Sequence, residues 1–173
     1  MADTGYRFSC RRCGYDVIFG DGVRFGYPVV YRKILDSAKS GRLGEDLRQF
    51  LSEHPEGVLD CGTVLLKCER CGILKTGPSL AMYLPKREGV RLPEDWPAPY
   101  DGEPADPCSL EEDYTLHARH EYSCHKCGRI MEMIDGKAAK ALIRQATPER
   151  MVKELVCPEC GKELYYGRNI IWD

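Results

Sequence analysis

The sequence predicts an α+β chain of two small metal-stapled units, each an antiparallel sheet with inserted helices. Three observations lead there. One short phrase occurs four times, as Cys10-Arg11-Arg12-Cys13-Gly14, Cys68-Glu69-Arg70-Cys71-Gly72, Cys124-His125-Lys126-Cys127-Gly128 and Cys157-Pro158-Glu159-Cys160-Gly161, and takes up eight of the ten cysteines. Short apolar stretches enter and leave each copy, as the strands of a hairpin do. Between the copies lie apolar residues at helical spacing.

The phrase has a chemical reading. Two Cys-x-x-Cys pairs supply four thiolates for one tetrahedral ion, and the trailing Gly lets the backbone curl until its N–H groups approach the sulfurs. Four pairs predict two sites. Their ligands are Cys10, Cys13, Cys68, Cys71, Cys124, Cys127, Cys157 and Cys160. Zn2+ is the expected ion at both, with iron as the alternative that the same thiolates accept.

Length agrees with this. At 173 residues the chain can form two units of about 80 residues, a size at which a hydrophobic core alone leaves little margin. The start, Met1-Ala2-Asp3-Thr4-Gly5, shows no basic run followed by an apolar stretch, and no run of about 18 apolar residues occurs anywhere. A reducing, cytoplasmic setting without a membrane is therefore expected, in which thiolates bind metal instead of forming disulfides. The formal charge is −2, and two zinc ions with four thiolates each take it to about −6. Arg11, Arg12, Lys67, Arg70, Lys126, Arg129 and Lys162 crowd the knuckles, where they are expected to compensate dianionic centres, a partner surface being the alternative.

Taken in order, Tyr6–Ser9 and Tyr15–Phe19 predict a hairpin with the first knuckle at its tip. Pro28 opens a helix with Val30, Tyr31, Ile34, Leu35 and Ala38 inward, ended by Gly41. A second helix runs from about Leu43 to His54, with Leu47, Phe50 and Leu51 repeating before Pro55. Val64–Lys67 and Ile73–Lys75 frame the second knuckle. From Lys86 through Asp113 there are 9 acidic and 3 basic residues with repeated prolines, which predicts an acidic, extended linker carrying Trp96 and Tyr100.

Beyond it the plan repeats in shorter form. Tyr122-Ser123-Cys124 echoes Phe8-Ser9-Cys10, Ile130–Ile134 is an exit strand, and Asp135-Gly136 a turn. A helix then places Ala138, Ala141, Leu142 and Gln145 on one face. Thr147-Pro148-Glu149 reads as the start of a short further helix. Leu155-Val156 and Leu164–Tyr166 frame the fourth knuckle, and Ile170-Ile171-Trp172 ends the chain as a strand or tail. The expected domains are 1–85, a linker 86–113 and 114–173. If each half is one unit, Cys10, Cys13, Cys68 and Cys71 hold one ion, and Cys124, Cys127, Cys157 and Cys160 the other.

The knuckles and their flanking strands resemble the zinc-ribbon and rubredoxin-like class, most closely at Val156-Cys157-Pro158-Glu159-Cys160-Gly161. The segments Lys39–Glu45 and Ser79–Lys86 are similar to parts of small bacterial zinc-ribbon proteins that have no assigned activity. The resemblance implies a fold and no mechanism.

Other candidates for chemistry are few. Cys61 and Cys108 read as small buried residues, with a reactive thiol as the alternative; a third metal site built from Cys108, His117 and His120, with His125 nearby, is the alternative to surface histidines. His54 reads as a helix end. Four-thiolate sites have no open coordination position, and no phosphate-binding loop, His-Glu-x-x-His helix or nucleophile elbow occurs. A non-catalytic binding or adaptor module is expected, with a protein partner ahead of nucleic acid. Tyr6–Phe50 has 9 basic and 5 acidic residues, a mild excess, whereas the chain as a whole is acidic. The alternatives are a rubredoxin-like electron carrier and a metallochaperone or thiol-redox protein.

Overall fold

The computed structural model describes residues 3–21, 28–90, 110–167 and 170–172. In chain order its elements are β1 (Asp3–Ser9), β2 (Asp16–Asp21), α1 (Pro28–Lys39), α2 (Glu45–Glu53), β3 (Val58–Asp60), β4 (Thr63–Lys67), β5 (Leu74–Pro78) and β6 (Ala81–Pro85). Then come α3 (Leu110–Asp113), β7 (Tyr114–Ala118), β8 (Glu132–Ile134), α4 (Gly136–Arg144), β9 (Met151–Val156), β10 (Glu163–Tyr166) and β11 (Ile170–Trp172). The fold is α+β, with small antiparallel sheets and two zinc-ribbon-like four-cysteine centres.

Contacts divide the chain into two compact units that are not its halves. Unit 1 gathers Met1–Gly22, Thr63–Pro78 and Glu121–Asp173, and unit 2 gathers Val23–Gly62 and Ser79–His120. The expected division at 1–85 and 114–173 is thereby corrected. Both described ends of the stretch 86–113 belong to unit 2, where the Lys86 N–H donates to the Asp113 carbonyl at 2.9 Å. Trp96, Tyr100 and Cys108 lie outside the described residues.

In unit 1 the first hairpin forms as its alternation dictates. Tyr6 and Phe8 point inward from β1, and Val17 and Phe19 from β2, with Tyr6 opposite Phe19 and Phe8 opposite Val17. β10 pairs with β1 further along (Phe8↔Tyr166, Ser9↔Tyr165), β9 pairs with β10, and β11 with the start of β1 (Thr4↔Ile171). A second sheet runs β5-β4-β8, with Lys67 opposite both Leu74 and Glu132. β4 is apolar on both faces, which is how a strand reads when covered on each side. Leu65 enters a core with Phe8, Phe19, Val152, Leu155 and Leu164, whereas Val64 and Leu66 enter another with Met131.

Two expectations in this unit are corrected. Asp135 is a helix cap, not a turn residue: its carboxylate accepts the Ala138 N–H at 2.8 Å. α4 then packs Ala138, Ala139, Leu142 and Ile143 inward, leaving Ala141 and Gln145 exposed. Thr147–Glu149 starts no helix. The Arg150 N–H donates to the Thr147 carbonyl and the Thr147 N–H to the Met151 carbonyl, and Arg150 turns left-handed (φ 68°), so the chain reverses directly into β9.

Unit 2 holds α1 and α2, the latter two residues shorter at its start, but Val30, expected inward on α1, is exposed. Tyr31 and Ala38 are buried on α1, and Leu47, Phe50 and Leu51 on α2. Its sheet, β3-β6-β7, was not legible in the sequence. At Gly57 a Cβ would stand 2.6 Å from the Phe50 ring, so only glycine lets the chain pass this close.

Candidate metal centres

Each knuckle is closed by the same two hydrogen bonds. The first cysteine's N–H donates to the carbonyl five residues on (Tyr15, Ile73, Arg129, Lys162) at 2.6–2.9 Å, and the trailing glycine's N–H donates to that cysteine's carbonyl at 2.8–3.1 Å. The Cys-x-x-Cys-Gly phrase, repeated four times in the sequence, thus has the same backbone closure each time. The glycines take φ of 67° to 76°. At Gly128 the requirement is conformational alone, because a Cβ there would meet nothing within 4 Å. Gly128→Ala is therefore expected to destabilise the protein by about 1–2 kcal/mol, the cost of a left-handed residue bearing a Cβ; a denaturant titration of the loaded protein checks it.

The knuckles combine 1 with 4 and 2 with 3. Cys10, Cys13, Cys157 and Cys160 form one cluster and Cys68, Cys71, Cys124 and Cys127 the other, with the sulfurs of each within 4.8 Å of one another. All eight predicted ligands are thus placed in sites, but the pairing by halves is overturned. The cause lies in the strands. β10 adds to β1, which sets the first and fourth hairpins side by side, and β8 adds to β4, which does the same for the second and third. The outer two knuckles are partners and so are the inner two, so that one ribbon is nested in sequence inside the other.

The geometry fits a tetrahedral thiolate ion. Sulfur separations are 3.5 Å for Cys10–Cys160 and for Cys13–Cys157, and 3.6 Å for Cys68–Cys127. Bonds of about 2.3 Å in a regular tetrahedron place sulfurs about 3.8 Å apart. A small contraction of that kind leaves room for one ion. The nine described cysteines are all free thiols.

Electrostatics point the same way. Backbone N–H groups of Cys13 and Arg12 hold the Cys10 thiol down, at about 7, against its burial. At Cys124 burial raises the thiol, yet the N–H groups of Lys126 and Cys127 and the nearby sulfurs bring it to about 7. Their neighbours go the other way. Cys13 receives the Tyr15 N–H, but burial and the surrounding sulfurs push it up to about 12; Cys71 reaches about 12 beside Cys127 and in partial burial. One thiolate forms easily in each cluster, and a cation is needed before four can coexist.

The remaining candidates fall away from these centres. Arg11 stacks 3.9 Å above the Tyr165 ring and donates to the Glu149 carbonyl, and Lys67 pairs with Glu69 at 2.7 Å, so neither serves simply to offset the thiolates. Cys61 is buried, and burial with the Asp60 charge keeps its thiol protonated. His120 is bound to Asp46 at 2.8 Å, and His125 is exposed on the third knuckle. Among the described residues no helix is long and apolar enough to cross a membrane. Comparison with family models, with curated proteins and with solved structures gave no match.

Proposed function

We propose that the chain is a non-catalytic zinc protein whose two ribbon-like centres build a scaffold, and whose unit 2, which holds none of the eight cysteine ligands, engages a protein partner. One observation carries this reading. All eight cysteine ligands lie in unit 1, while the two insertions 23–62 and 79–120, which contribute none of them, gather into a unit of their own. Four thiolates complete each ion's tetrahedron and leave no position for substrate, so the ions serve structure. Unit 2 also carries surface of mixed charge, with Glu45 and Arg48 paired on α2 and Arg87 facing Asp113, which suits a protein better than a polyanion.

The test is cross-linking mass spectrometry on the loaded protein in its native extract. Cross-links to one protein species concentrated on Lys33, Lys39 and Lys86 support the proposal. Salt-sensitive retention on nucleic acid with cross-links confined to Lys126 and Lys162 overturns it. Iron is the second reading, because the four thiolates with N–H groups directed at Cys10 and Cys124 also suit a reducible iron–thiolate centre. Visible absorbance that bleaches on reduction would establish it.

A further inference from the structure

We infer that unit 2 carries a third, exchangeable site for a late first-row divalent ion, zinc or nickel, held by His54 and His117. The two imidazoles close a triangle with Phe50: ring centres are 5.4 Å apart for His54–His117, 5.4 Å for Phe50–His54 and 5.5 Å for Phe50–His117. Metal–nitrogen bonds of about 2.0–2.1 Å at tetrahedral angles put the centres of two imidazoles on one ion about 5.2 Å apart. The observed pair already stands at that separation.

Three features distinguish this pair from the chain's other histidines. His117 is exposed and His54 keeps 30% of its side chain in solvent, so an ion has access from bulk water. Glu56 lies 3.8 Å from His54 Nδ1, beyond a direct hydrogen bond but on the side where its charge favours the proton on that nitrogen and leaves the Nε2 lone pair for a metal. Phe50 is 4% exposed and flanks both rings, supplying a fixed apolar wall against which they are oriented. His120, by contrast, is taken by Asp46. Two imidazoles alone make a weak site that completes its shell with water, unlike the four-thiolate centres. Such a site fills and empties with the free ion, and when filled it ties the end of α2 to β7.

Protein with both four-cysteine sites loaded is titrated with zinc by calorimetry, and the imidazole nitrogens are followed by NMR. The expected result is one further ion per chain, with shifts at His54 and His117 and none at His125. His117→Phe keeps a ring in the triangle and abolishes binding, and Glu56→Gln weakens it about ten-fold. Nickel replaces zinc as a second probe and gives the same stoichiometry. Absence of a third ion at millimolar zinc, or binding unchanged in His117→Phe, overturns the inference.

Discussion

Stripped of both ions by a strong chelator in reducing buffer, the chain loses the strand signal of unit 1 while a helical signal from α1 and α2 persists. The ligands are core residues as well as thiols. Cys10 and Cys157 sit in the larger cluster with Phe8 and Leu164, and Cys68 and Cys124 in the smaller one with Leu66. Each ion therefore holds two hairpins and a core together. A structural zinc contributes about 10–16 kcal/mol of apparent binding free energy near neutral pH, against a total stability of about 5–15 kcal/mol for an ordinary domain. Loss of even one is comparable with the whole of that margin. Circular dichroism during chelation, with zinc added back to restore the signal, checks this; a chain whose melting temperature is unchanged without metal contradicts it.

Leu65→Ala is expected to cost about 2–5 kcal/mol, the most of any single apolar truncation in β4. The side chain is fully buried among Phe8, Phe19 and Leu155, and its strand is covered on both faces, so little can collapse into the space it leaves. Leu116→Ala on β7, where the side chain is 41% exposed, stays within about 0.5 kcal/mol. Equilibrium unfolding of the two loaded variants makes the comparison. A similar cost for both would place Leu65 outside the core.

Much of this was legible because the signals are local. Cys-x-x-Cys-Gly fixes a knuckle within five residues, and the alternation of Tyr6 and Phe8 or of Val17 and Phe19 fixes a hairpin within about fifteen. Helix α2 announced itself through Leu47, Phe50 and Leu51. The partnership of the knuckles was a different kind of question. It depends on β10 finding β1 and β8 finding β4, and residues such as Tyr166 and Glu132 bear no mark of the strand they will join. Repetition argued for two halves in tandem, since each half has the same plan. The strands chose nesting, and most of the 54 residues between Cys13 and Cys68, namely 23–62, are an excursion into another unit, not a closing loop. The sheet β3-β6-β7 was missed for a related reason: Val58–Asp60 is three residues long and buried throughout, so no alternation shows.

Nesting is the central claim, and cadmium resolves it directly. With 113Cd in both sites, each ion couples through its bonds to the Hβ protons of its own four cysteines. Nesting predicts one resonance correlated with Cys10, Cys13, Cys157 and Cys160 and a second with Cys68, Cys71, Cys124 and Cys127. A resonance that joins Cys10 and Cys13 to Cys68 and Cys71 would contradict it.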